Sequence, residues 1–183
     1  MRWMRAGLIL SVLLSVTSCS AKDETPTVFT APLGSYGEAY TYPAGSSLTD
    51  GNTILELTDG PVRVLSISFQ EDGQKAVVLG TRIRALSETA IPFDSVPGFT
   101  ADSATLAGSV VADGAMLSGP ATGRPFAAYE VIVGYQMPSG GRYVRTGMTI
   151  TYEYKHQVLT QFHPSWIALC VGASNQTPCL SSQ

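Results

Sequence analysis

His156 and His163 are the only imidazoles in the chain, so any acid–base or metal chemistry would start from them. Neither has an Asp or Glu at ligand spacing. Met116, Met137 and Met148 add soft ligand types of the kind that hold copper. They form no Met-x-Met or His-Met cluster, and Met148 falls on the apolar face of an alternating segment, which is core behaviour. Nucleophilic hydrolysis would need Gly-x-Ser-x-Gly on a strand-to-helix turn or Ser-x-x-Lys, and neither occurs. Asp94 and Asp102 sit on a long connection and could face one another as glycosidase carboxylates, although loop acids are routinely plain surface. Leu106-Ala107-Gly108 and Ser118-Gly119-Pro120 precede no helix and lack Lys, so they cradle no phosphate. Arg63, Arg82 and Arg84 would form a small basic face for acidic polymers, or simply blunt an outer sheet face. No cofactor, metal or catalytic constellation emerges.

The beginning of the chain carries a different chemistry. Met1-Arg2-Trp3-Met4-Arg5 is basic, and Ala6 to Val16 is free of charge. A membrane span needs about 20 apolar residues, so this run is too short and reads as a signal-peptide core. It ends in Val16-Thr17-Ser18-Cys19, which resembles the lipobox of bacterial lipoproteins. The resemblance implies a diacylglycerol on Cys19 and cleavage before it, making 1–18 a signal peptide. The alternative is ordinary cleavage near Ala21, with Cys19 discarded. Two or three acyl chains anchor a protein stably where one does so only marginally.

Cys170 and Cys179 then remain. In an oxidising compartment they are expected to form a disulfide closing Val171 to Pro178. A loop of about ten residues closed in this way stabilises by roughly 2–3 kcal/mol. A metal site would need two further soft ligands nearby, and a redox pair would be tighter, as in Cys-x-x-Cys.

These residues need a scaffold, and composition says which kind. Of 183 residues, 44% are hydrophobic and only 14% charged, which excludes a disordered tail or a charge-rich helical array. The formal charge is −3, and loss of Arg2 and Arg5 with the signal peptide makes it more negative, which excludes an electrostatic grip on nucleic acid. Ser20 to Thr30 starts polar and completes a lipidated tether over 19–30. Residues 31–51, rich in Gly, Pro, Ser and Tyr, read as a lead-in.

From Asn52 the pattern is regular. Thr53–Leu57 is a short apolar strand before Thr58-Asp59-Gly60-Pro61. In Pro61–Phe69, Arg63, Leu65, Ile67 and Phe69 share one face, against Val62, Val64, Ser66 and Ser68. Glu71-Asp72-Gly73 signals a hairpin, and Lys75–Leu86 returns with Val77, Leu79 and Ile83 on one face and Arg82 and Arg84 on the other. Ser87–Ser103 has no period. Ser109–Val111 and Ala115–Leu117 flank Ala112-Asp113-Gly114. Tyr129–Met137 sets Tyr129, Val131, Val133 and Tyr135 on one face. Met148, Ile150, Tyr152 and Tyr154 alternate most clearly, before a tight turn at Lys155-His156, then Gln157–Phe162 and Trp166–Val171. About eight short strands separated by turn chemistry predict an all-β antiparallel sandwich over 52–183.

Val-Arg-Val-Leu-Ser-Ile-Ser-Phe (62–69), Ala-Val-Val-Leu-Gly-Thr-Arg-Ile-Arg-Ala-Leu (76–86), Ile-Pro-Phe (91–93) and Val-Ile-Val-Gly-Tyr-Gln-Met-Pro (131–138) follow in order. Across roughly 52–171 this resembles the telokin-like, immunoglobulin-like domains of secreted and lipid-anchored bacterial proteins, especially of actinobacteria. The resemblance implies an immunoglobulin-like β-sandwich and no defined activity. The resulting expectation is an exported protein held to the bacterial cell membrane by Cys19. It acts as a non-catalytic module binding an envelope protein or polymer, with Phe93, Asp94 and Phe99 on the long loop as contact residues. The alternative is an envelope hydrolase built from loop carboxylates and His163.

Overall fold

The computed structural model describes residues 27–30, 37–87, 95–100 and 106–172. Eleven strands are present among them: β1 (Phe29–Thr30), β2 (Gly37–Tyr42), β3 (Ser47–Leu57), β4 (Val62–Gly73), β5 (Val77–Ala85), β6 (Val96–Pro97), β7 (Val110–Val111), β8 (Met116–Leu117), β9 (Ala127–Gln136), β10 (Gly141–Tyr154) and β11 (Gln157–Val171). They form the expected all-β sandwich. One sheet runs β1-β3-β9-β5-β7 with β6 also on β3, and the other runs β2-β11-β10-β4-β8. Pairing is antiparallel except where β2 lies parallel to β11. The expectation of about eight strands undercounts them because β1, β2 and β6 fall in the segments read as tether, lead-in and connection, and β1 and β6 have only two residues each. No periodicity can show in a segment that short.

The longest hairpin follows directly from sequence. Met148, Ile150, Tyr152 and Tyr154 on β10 are all buried. Lys155 and His156 adopt φ of 48° and 66°, closing a two-residue turn whose twist matches the right-handed twist of the strands it joins. β11 then runs unbroken to Val171, where two separate strands were expected. Pro164 is accommodated opposite Gly147, beside a bulge, so the strand does not stop there.

The domain also begins earlier than residue 52. Phe29 is 1% exposed, packs edge-on against Tyr152 at 5.0 Å, and is bonded at both N–H and C=O by the Gln161 amide. β2 and the first half of β3 fall within the expected lead-in, yet both are sheet members. Gly, Pro and Ser conceal strands here because pairing is supplied by distant partners rather than by local propensity.

Two faces differ from simple alternation. On β4 the ladder to β10 shifts between Ser66 and Val64, so Val62 and Val64 face the core at one end, and Ile67 and Phe69 face it at the other. On β5 only Ile83 is buried, while Val77 and Leu79 are 50% and 42% exposed. The three arginines form no common face. Arg63 lies exposed on β4, whereas on β5 Arg82 bonds Ser109 and Arg84 pairs with buried Glu130.

β9 is buried on both sides: Val131 and Val133 face the other sheet, and Ile132 is equally enclosed on the outside. Part of that outer cover is the segment 95–100. β6 pairs with β3, and Phe99 lays its ring over Gly80 and Gly134. A Cβ on Gly134 would sit 2.3 Å from that ring, so this glycine is a floor for the aromatic.

Candidate functional site

Two places in the sandwich hold what its regular packing does not explain. The first lies between the sheets. A bulge between Asp50 and Thr53 keeps both side chains of β3 inward, and a bulge at Thr146 turns Arg145 of β10 inward. Tyr135 of β9 and His163 of β11 complete the cluster, every member at most 4% exposed. Arg145 Nη1 donates to Tyr135 Oη at 2.8 Å and lies 3.0 Å from Asp50 Oδ2. Its Nη2 donates to Thr53 Oγ1 at 2.8 Å, and its guanidinium carbon stands 5.7 Å from the centre of the Phe69 ring.

Burial opposes the Arg145 charge, but Tyr135 and Asp50 more than offset it, so the guanidinium stays charged. Burial also pushes the Tyr135 hydroxyl up to about 12, against the pull of the neighbouring guanidinium. The cluster is closed to solvent, and both terminal nitrogens of Arg145 have an acceptor. Arg145 Nε and Ser165 Oγ have no hydrogen-bond partner among the described residues.

His163 falls between the two strands expected at Gln157–Phe162 and Trp166–Val171. It is a strand residue, 3% exposed, bonded to the backbone of Ile54. Its pKa lies below the usual 6.5, chiefly from burial, with the Arg145 charge adding to the fall. The neutral form is therefore the one that folds. Above 6.5 its stabilising contribution is complete, and it is lost as pH falls toward the lowered folded value, because the unfolded chain takes up the proton first. The expected result is a melting temperature that drops between pH 7.5 and 5.5 more in the parent chain than in His163→Gln. Equal drops in both would show that another group carries the pH response.

Among the described residues no group of three His, Cys, Asp or Glu could hold a metal ion. Met148 and Met137 are core, while Met116 is 63% exposed on β8. Of the expected contact residues, Phe99 is half-buried on its own sheet. Cys19, Phe93, Asp94, Asp102 and Cys179 lie outside the described residues. Cys170 is buried on β11 and is not a free thiol. Asp50 and Arg145 escaped sequence reading because neither interrupts an apolar run. An Arg directly after Tyr143 and Val144 was the available signal.

The second place is the flank where β4 and β5 edge their sheets. β7 covers β5 only at Arg82 and Ile83, and the bond from Ala112 N–H to the Thr81 carbonyl ends that cover. β8 covers β4 only at Val62 and Arg63, extended by bonds between Val64 and the turn residues Gly114 and Ala115. The β7–β8 hairpin thus clips the two sheets together at one end, leaving Val77–Gly80 of β5 without a neighbour on that side among the described residues. Six of the nine exposed large hydrophobics among the described residues lie here: Val77, Val78, Leu79, Val110, Val111 and Met116, each between 40% and 63% exposed. Such a concentration marks an interaction surface more often than chance exposure does.

No family model matches the chain, and no curated protein does. Among solved structures, it is similar to the ASH/PapD-like domain 7 of human CEP192, at 12% identity and a TM-score of 0.38, covering 93% of this chain and all of that one. The fold described above stands on strand pairing and burial alone.

Proposed function

We propose that this protein is a non-catalytic interaction module of the bacterial cell envelope, held to the membrane by lipid on Cys19 and braced by a Cys170–Cys179 disulfide. The observation that supports it is the apolar flank of β5, β7 and β8, where backbone and side chains are both open to a partner. No other surface of the described residues concentrates exposed apolar side chains to this degree.

A hydrolase built on His163 finds no support, since that imidazole faces the core and is engaged by Ile54. We place the binding surface on this flank; of the loop residues Phe93, Asp94 and Phe99, the first two lie outside the described residues and Phe99 lies over its own sheet.

Two measurements test the reading. Intact mass of the membrane-extracted chain is expected to equal the polypeptide from Cys19 with two or three acyl chains attached. A chain that begins after Cys19, or that carries no lipid, removes the anchor. In-cell photo-crosslinking from a probe at Val111 is expected to give one reproducible adduct, lost on Val78→Lys. Equal labelling of many proteins, unchanged by that substitution, removes the interaction surface.

A further inference from the structure

We infer that the outer face of the β2-β11-β10-β4-β8 sheet binds a neutral polysaccharide, with Phe162 as the platform on which one sugar ring lies. This face is separate from the apolar flank, and the inference does not depend on what docks there.

Phe162 of β11 is the cross-strand partner of Thr149 on β10, yet its ring does not stand out into solvent. It lies along the sheet over Gly147, where a Cβ would overlap the far edge of the ring. One side of the ring thus rests on backbone that glycine leaves bare. The residue is still 50% exposed, so the opposite side of the ring is open.

Hydroxyls surround this ring in register. Cross-strand pairing sets Ser68, Thr149 and Phe162 in one row, and Ser66, Thr151 and Thr160 in the next. Members of a row stand about 4.8 Å apart and the rows about 6.8 Å apart. Every one of these residues is exposed or half-buried. Each hydroxyl both donates and accepts, and Gln70, opposite Gly147, adds an amide that does the same.

Charge reaches this face, among the described residues, only at its ends, and each end holds both signs. Arg63 and Glu153 are cross-strand partners at one end, where Lys155 of the hairpin tip is held by Asp59. Asp72 and Arg142 stand at the other.

These features select the ligand. A polyanion would need a net positive face. A protein partner would need a desolvated apolar centre, and on β4, β10 and β11 only Val158 and Phe162 are large, apolar and exposed. A pyranose carries a face of C–H bonds, which the electron-rich face of an aromatic ring attracts, and a rim of hydroxyls that donate and accept alike. An uncharged sugar chain laid across the rows meets both.

The test is calorimetric titration of the full chain, in a detergent without a sugar headgroup, with cellohexaose, chitohexaose and maltohexaose. At least one is expected to bind with a dissociation constant of about 0.1–1 mM, as a single open platform allows. Phe162→Ala is expected to weaken that binding about tenfold or more, while Phe162→Tyr keeps it within about twofold. Thr149→Val keeps the side-chain shape, removes one hydroxyl and is expected to cost about threefold, which preserves the test if Phe162→Ala melts early. Val78→Lys, on the flank, is expected to leave the titration unchanged, so that the two surfaces fail separately. Binding of none of the three hexasaccharides would overturn the inference. So would binding indifferent to both Phe162→Ala and Thr149→Val, or tighter binding of polygalacturonate than of any neutral chain. A photo-crosslinking probe at Thr160 that captures one protein in cells also overturns it.

Discussion

Replacing Asp50 with Ala is expected to destabilise the sandwich by about 3–5 kcal/mol, because it leaves Arg145 charged and buried without its carboxylate. Asp50 is fully buried, and its Oδ2 is 3.0 Å from Arg145 Nη1. Tyr135 and Thr53 would still accept from the guanidinium, but two neutral oxygens do not replace an anion for a group that burial already disfavours. Removing both charges behaves differently. Asp50→Leu with Arg145→Met exchanges the pair for apolar volume and is expected to recover most of the loss, since desolvation of both ions is also removed. Chemical denaturation of the parent, both single variants and the double variant measures the coupling. Additive losses in the double variant would show that the two side chains act independently, against the geometry. The pair joins β3 of one sheet to β10 of the other, so its effect should appear as loss of the whole cooperative transition.

The second large effect is expected at Gly134. Its position on β9 lies beneath the Phe99 ring, and the Cβ of Gly134→Ala would meet ring atoms at 2.3–2.6 Å. Neither β9, buried on both faces, nor the base of the ring can absorb that overlap, so Phe99 must leave the sheet. The expected cost is about 2–3 kcal/mol, the range for overpacking together with loss of a half-buried aromatic contact. Phe99→Ala alone is expected to cost about 2 kcal/mol by exposing the same floor. In the Phe99→Ala background Gly134→Ala should then cost under about 1 kcal/mol, since nothing remains to clash with. Strict additivity of the two would mean that Phe99 does not lie over Gly134 in solution. This pairing also separates two uses of the loop. If Phe99 serves the fold, its removal lowers stability while crosslinking from the flank continues.

The sequence by itself determined the class of fold, the long β10–β11 hairpin with its turn at Lys155-His156, and the inner face of β9. In each, a side-chain period of two carries the information, and period is local. The same alternation misassigned β4 and β5. A bulge reverses which residues face inward, and it is fixed by the partner strand's register rather than by the strand's own residues. Tertiary structure alone decided that Arg145 meets Thr53, 92 residues away, and the nearby Asp50 in the same cluster. It alone placed His163 in the core and Phe99 over two glycines. It also decided that Val77, Val78, Leu79, Val110 and Val111 stay outside, although residue type assigns them to the interior. β7 is two residues long, and beyond it the open edge of β5 has nothing among the described residues to cover it. Whether an apolar side chain is buried depends on what the rest of the chain lays over it, and that is a property of topology rather than of residue type.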